Sequence, residues 1–416
     1  MKNLFYPIVL FVLFGCADPA HKQAPLKKEV LAYNAPTPKG LPREEFQYYY
    51  ALAKSHFETS LLNRGFNGQI LIAKNGTVVY EKAVGFADMR TKDSLTLSTP
   101  MHIASVSKTF TGMAILHLME QGSLHLDDTL GKYFAGFPYE GITLKMLLSH
   151  RSGLPNYLHY LSAIKSNDTC YSNHDVLNSL YTLKPNPEAR PGKKFNYCNT
   201  NYVLLAMIIE KITGESFPAY MKKTFFAPLQ MTNTFVYANQ DSLTPTPSFK
   251  WTGRYWDTDP FDCTYGDKNI YTTAGDLLKW DQALSSGQLF KKETLDTAYT
   301  PYSNEHRSIH NYGLGWRMMI FPNGKKFVYH NGRWHGSNAV FVRFADENAT
   351  MIIIGNRYNS NIYNSARKAY NLFGSYTPDS RDRQEETIDD PENSVVENAP
   401  AFIERAKKAF SAKTRR

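Results

Sequence analysis

Residues 104–122, ASVSKTFTGMAILHLMEQG, constrain this chain more than any other stretch. Val106, Phe110, Met113, Ile115, Leu116 and Leu118 leave almost no polar face at helical spacing, so other elements must cover the helix on every side. Such a helix lies at the centre of a fold. Within it stands Lys108, one turn after Ser105. A lysine in that setting either snorkels to a surface or loses its water, and a desolvated amine gives up its proton more readily.

The rest of the chain can supply the cover. Its 416 residues are 42% apolar and 14% aromatic, enough for a large core. The formal charge of +9 is spread without a long basic run, which argues against a nucleic-acid partner. GQILIAKNGTVVYEKAVG reads as two alternating strands turning at Asn75-Gly76. Near the other end, 312–320, 325–332 and NAVFVRFADENATMIIIGN read as further strands, the last stretch turning across Asp346 to Ala349. Between these groups the chain is mostly helical or irregular. The fold class is therefore α+β: an antiparallel sheet built from both chain ends, flanked by helices over 44–62 and 361–373, with a mainly helical lobe inserted in the middle. Helix starts are expected at Thr143, at a Thr273/Asp276 capping box, and at Asn199–Thr200.

Ser-x-x-Lys alone says little, since Ser162/Lys165 and Ser365/Lys368 repeat it. Only Ser105/Lys108 opens a buried helix. At i and i+3 the two share a face. In the first turn, Ser105 would also sit beside backbone N–H groups without helical partners, where an oxyanion finds donors. For an amine to accept a proton at neutral pH, its pKa must fall from ~10.4 to about 7, some ~4 to 5 kcal/mol, which burial can supply. The pair is compatible with a hydroxyl nucleophile activated by a neighbouring amine.

HIASVSKTFTG, ITLKMLLSHRSGLPNY, PGKKFNYCNTNYVLLAMIIEKITG, PLQMTNTFVY, GDKNIYTTAGDLLKW, YGLGWRM and HNGRWHGSNAVF together resemble the serine β-lactamase-related family, in the family's order over roughly 45–372. That family includes class C β-lactamases, D-Ala-D-Ala carboxypeptidases, aminopeptidases and esterases. The resemblance implies a β-lactamase/transpeptidase-like fold and acyl transfer, with Ser105, Lys108 and Tyr197 catalytic. Of five Tyr-x-Asn triplets, Tyr197-Cys198-Asn199 has the right surroundings, and Tyr237-Ala238-Asn239, a literal copy, follows a downstream segment. Asn199 would contact the substrate amide. His330-Asn331-Gly332 takes the place of Lys-Thr-Gly; Gly332 would let substrate approach, and the N–H groups of Ser105 and Arg333 would receive the oxyanion. The family resemblance implies neither cofactor nor metal. Histidine in place of lysine removes a permanent charge, so efficient β-lactamase activity is not expected. Arg333 and His335 are the candidates to replace that charge, and their directions stay open.

At the start, Lys2, an apolar run and Leu13-Phe14-Gly15-Cys16 resemble a bacterial lipoprotein signal. That implies residues 1–15 removed, Cys16 lipidated, a tether over 16–42, a catalytic domain over 43–376, and a charged tail over 377–416. An ordinary secretory signal is the alternative. The tail is acidic, then basic, with Phe402, Ala406, Ala409, Phe410 and Lys413 at helical spacing; it reads as a loosely docked or frayed tail, with a short basic amphipathic helix touching anionic lipid as the alternative. Cys170, Cys198 and Cys263 remain, so at least one thiol stays free, and Cys198 is expected buried. No zinc-like cysteine spacing occurs.

The reading is an envelope-anchored serine hydrolase, periplasmic or surface-facing, acting on a small-molecule or peptide substrate with an ester, amide or peptide bond. A D-Ala-D-Ala carboxypeptidase or D-peptidase is the narrower alternative, and a non-catalytic penicillin-binding sensor the other. Membrane contact through the anchor is the expected partner; oligomeric state is not legible. Trp251, Tyr255, Trp256 and Phe261 are candidates for an aromatic wall.

Overall fold

The computed structural model describes residues 33–38, 40–162, 170–238 and 245–377. The signal segment with Cys16, most of the tether, the charged tail, Lys165 and Asn239 lie outside the described residues.

Seven strands form one antiparallel sheet: β1 (Gly68–Lys74), β2 (Thr77–Val84), β3 (His310–Tyr312), β4 (Arg317–Ile320), β5 (Lys326–Trp334), β6 (Ser337–Phe344) and β7 (Ala349–Gly355), in the order β2-β1-β7-β6-β5-β4-β3. Both chain ends supply strands, as the alternating segments require. Asn75 (φ 51°) and Gly76 (φ 74°) take the two left-handed positions of the tight turn between β1 and β2. The segment 312–320 is not one strand. It breaks at Gly313-Leu314-Gly315-Trp316, because Gly315 turns with φ 89° against the backbone of Lys108 and Gly112. The glycines that look like strand interruptions are there to admit the central helix.

Strands β6 and β7 are buried along their whole length, so both faces of the sheet are covered. On one face Ile70, Ile72, Val340, Val342, Met351 and Ile353 pack with Phe57 of α1 (Arg43–Ser60) and with Ile362 and Ala366 of the helix Asn361–Ala369. On the other, Leu71, Phe341, Ile352 and Ile354 pack with α2 (Ser107–Glu120), whose residues 107–116 are all buried. α5 (Ala274–Ser285) packs on the same face of the sheet, its Trp280 stacked on Phe110 of α2, while α4 (Asn199–Thr213) lies against α2 and α3 (Leu144–Leu148) against α4. The central helix is thus walled by the sheet on one side and the helical lobe on the other.

Helix caps follow the sequence in part. Thr143 and Thr273 accept from the N–H groups of Met146 and Asp276. The Asp276 carboxylate does not close the box; it turns to the N–H of Asn233 and the hydroxyl of Thr234, tying α5 to a neighbouring loop. At α4 the cap position is Cys198, without a side-chain cap, and the Thr200 hydroxyl instead accepts from Tyr157 N and donates to Pro155 O. Ser105 lies not in α2 but in a 3-10 turn, Ala104–Val106, just before it.

Cys170 and Cys263 form a disulfide, with Cα atoms 5.7 Å apart, and Cys198 is the free thiol among the described residues. Burial pushes the Cys198 thiol up to about 12. Three histidines are buried in neutral form. Burial lowers His102 to about 3, while His150 and His330 are held well below the ordinary range by burial first and then by nearby cations. Below the unfolded value of ~6.5 the unfolded chain takes up protons that the native state refuses, so stability falls with falling pH. Denaturant midpoints should therefore drop steadily from pH 6.5 toward pH 4, with proton uptake on unfolding; a flat profile over that window would contradict neutral burial of these rings.

Candidate active site

Residue Ala104, at φ 47°, reverses the chain out of the short strand Met101–His102 and into the Ser105 turn. A non-glycine residue there costs of order 1 kcal/mol or more, so the surroundings must hold it. Strand β5 does so. A Cβ on Gly332 would lie 2.2 Å from the Ile103 carbonyl oxygen and 3.1 Å from Ser105 N, so only glycine lets the strand backbone abut this turn.

Inside that turn, Lys108 is 0% exposed. Its Nζ donates to Ser105 Oγ at 3.0 Å, to Asn199 Oδ1 at 2.8 Å and to the Asp267 backbone oxygen at 2.9 Å. All three acceptors are uncharged. The Tyr197 and Tyr202 rings lie 5.0 and 5.7 Å from the same nitrogen. Ser105, Tyr197 and Asn199 are half-buried, open enough for a ligand to reach them.

The residues expected from the sequence thus come together from four places: the turn before α2, the first turn of α4, the loop carrying Asp267, and β5. Tyr197 rather than Tyr237 faces Lys108. His330 is buried on β5, its ring centroid 6.4 Å from that of Tyr197, with Nε2 against the Tyr312 hydroxyl at 3.2 Å and Nδ1 against Asn331 O at 2.6 Å. Asn331 Oδ1 is buried without a hydrogen-bond partner.

Neither candidate for the missing charge stands where the sequence left it open. The Arg333 guanidinium lies over Tyr358, 5.0 Å from its ring, and His335 Nε2 pairs with Asp262 Oδ1 at 3.0 Å. Despite burial, the His335 and Trp334 donors hold the Asp262 carboxyl below the usual range. The aromatic wall also divides. Trp256 stacks near His335, Trp251 and Tyr255 cover Arg357 and Arg90, and Phe261 is core.

Three side chains not picked out from the sequence line this cluster. Arg317, opening β4, places its guanidinium carbon 5.3 Å from the Tyr197 ring and acts on the charge of His330 and His150. The His150 ring lies tilted against Tyr197 with centroids 4.2 Å apart, accepts from Cys198 N through Nδ1, and keeps Nε2 buried without a partner. Lys268 is buried beside Asp267. Each sits in a segment that already carried the family resemblance, YGLGWRM, LLSHRSG and GDKNIYTT, but only the fold turns them inward.

Comparisons with known proteins agree with this architecture. The Beta-lactamase family model matches residues 63–373. The chain is 30% identical over 327 residues to penicillin-binding protein 4* of Bacillus subtilis, covering 74% of this chain and 72% of that protein. The octameric penicillin-binding protein homologue from Pyrococcus abyssi shares the fold at a TM-score of 0.67 and 24% identity, over 78% of each chain. A D-stereospecific amidohydrolase from Streptomyces sp. does so at 0.63 and 22%, over 77% of this chain and 98% of its own. On the matched family model and the shared architecture, the chain belongs to the β-lactamase-related family of serine hydrolases.

Proposed function

We propose that the protein cleaves an amide, peptide or ester bond through an acyl-enzyme on Ser105. The observation that carries this reading is the fully buried Lys108 Nζ lying 3.0 Å from Ser105 Oγ, within reach of the hydroxyl proton, with no carboxylate among its hydrogen-bond partners. As the free amine, Lys108 turns its lone pair to the Ser105 hydroxyl and accepts its proton. Ser105 Oγ attacks the carbonyl carbon and its proton passes to Lys108 or Tyr197. The carbonyl becomes an oxyanion received by the N–H groups of Ser105 and Arg333, a contribution of about 3 kcal/mol per donor. When the oxyanion collapses, the bond to the leaving nitrogen or oxygen breaks and that atom takes the proton. Water then repeats the sequence on the ester. Asn199, bonded to Lys108, is placed to meet the substrate amide, and Gly332 lets the substrate chain lie along β5.

One observation favours the narrower reading of a D-peptidase or D-amide hydrolase with a carboxylate-bearing substrate. His330 is held neutral, but Arg317 on the adjoining strand keeps a permanent cation beside Tyr197. The names of structural neighbours, a D-stereospecific amidohydrolase and a D-amino acid amidase, point to the same class of bond. We place the enzyme at the cell envelope, tethered through Cys16 and facing the periplasm or surface, on the strength of the signal-like N-terminus.

Three outcomes are expected. A fluorescent penicillin or fluorophosphonate labels the wild-type protein on Ser105 and fails to label Ser105→Ala; equal labelling of both removes the hydrolase reading. In a turnover panel of nitrocefin, a D-Ala-D-Ala peptide and short-chain aryl esters, Arg317→Met raises KM for the peptide by ten-fold or more and leaves ester KM within about two-fold, as loss of a charge-assisted contact predicts. An equal change for both substrates argues against an anchoring role. In a bacterial host, the full chain fractionates with membranes and Cys16→Ala moves it to the soluble fraction; unchanged fractionation excludes the lipid tether.

A further inference from the structure

The loop over 259–269 buries a second lysine whose chemistry the reaction above does not use. Lys268 is 3% exposed and stands next to Asp267, whose backbone oxygen holds Lys108. The Asp267 side chain is equally buried and sits only a few bonds from that backbone oxygen. Left to itself, this carboxylate would be the natural counter-ion for Lys108. One of its oxygens is engaged elsewhere: Asp267 Oδ2 accepts from Lys268 Nζ at 3.3 Å and from the Tyr157 hydroxyl at 2.9 Å, while Oδ1 is buried without a hydrogen-bond partner. Lys268 also donates to the Tyr157 and Thr264 hydroxyls and lies 4.7 Å from the Trp334 ring, at the end of β5.

The two lysines divide one residue between them. Lys108 takes the neutral end of Asp267 and Lys268 takes the charged end. We propose that Lys268 is a positioning residue that neutralises the Asp267 carboxylate, so that Lys108 is held by uncharged acceptors alone and stays available as a base. Lys268 also stands near Lys108: its amine is lowered by burial first, Asp267 and Asp262 act to raise it, and the like charge of Lys108 adds to the lowering. This inference rests on the reading of Ser105 as nucleophile and Lys108 as proton acceptor.

The other groups around Lys108 do not confuse the test. His150, at the end of α3, and His330, on β5, are held well below the usual histidine range by burial, and burial likewise raises Tyr202 of α4 and, well above the ordinary value, Tyr157. Arg317 on β4 keeps its charge at all working pH values. Lys268 itself, lowered by burial, is absent from the variants tested.

The experiment follows the pH dependence of the second-order rate of Ser105 labelling by a fluorophosphonate, which needs no knowledge of the substrate. In the full-length protein, Lys268→Met leaves Asp267 free to hold Lys108 as an ammonium. The acid limb of the profile should move up by roughly one pH unit or more, the size expected for an opposite charge within a few ångströms. Lys268→Gln keeps a donor for Asp267 and Tyr157 but carries no charge, so it should shift the limb in the same direction and serves if the methionine variant does not fold. Adding Asp267→Asn to Lys268→Met should return the limb to within about half a unit of wild type. A merely structural role slows labelling equally at every pH and leaves the limb in place. That result in Lys268→Gln, or a limb that Asp267→Asn fails to restore, overturns the proposal while the hydrolase reading stands. A wild-type protein whose Ser105 never labels removes both.

Discussion

A buried amine with no negative partner is the constraint on which this structure depends. Lys108 sits in the middle layer, where an ammonium would be costly and where every acceptor it meets is a hydroxyl, an amide oxygen or a backbone carbonyl. The neighbouring elements are arranged around that fact. The Ala104 turn brings Ser105 to the amine, the first residue of α4 brings Asn199, and the Gly313–Gly315 turn clears space for α2. Sheet and lobe enclose residues 107–116 of the helix, and the Lys108 amine within it is held by three separate segments, through Ser105, Asn199 and the Asp267 carbonyl.

Charge around the site is ordered by burial more than by pairing. His150 and His330 stay neutral although each lies beside Tyr197, while the buried Arg317 guanidinium stands over the same ring and Lys268 pairs with Asp267. That division separates two tasks. On the proposed mechanism, neutral groups in the middle suit a proton passing between Ser105, Lys108 and Tyr197. Permanent charge over the Tyr197 ring can attract an anionic substrate without fixing that proton in place. A lysine at position 330 would do both at once, and its absence is what made the site look incomplete from sequence.

How much of this could be read from the chain differs by element. The Asn75-Gly76 hairpin, the strands at both ends and the buried helix follow from local periodicity and turn chemistry, because those signals survive any tertiary setting. The pairing of Ser105 with Lys108 was legible because a spacing of three keeps them neighbours even though Ser105 lies in the 3-10 turn that leads into α2 rather than in the helix itself. Arg317, His150 and Lys268 were not, since their relevance comes from segments far apart in sequence meeting around one tyrosine and one aspartate. The Thr273/Asp276 box failed for a related reason: a tertiary partner at 233–234 competed for the carboxylate. The direction of Arg333 and His335 likewise depended on Tyr358 and Asp262, which no spacing rule connects to them.

The most direct test of the central claim is a crystal structure with a boronic acid transition-state analogue bound. The account predicts a covalent bond between boron and Ser105 Oγ, one boronate oxygen within about 3 Å of the N–H groups of Ser105 and Arg333, and Lys108 still enclosed by Asn199 and the Asp267 carbonyl. Boron attached to any other residue, or Lys108 Nζ turned out into solvent in the complex, would contradict it.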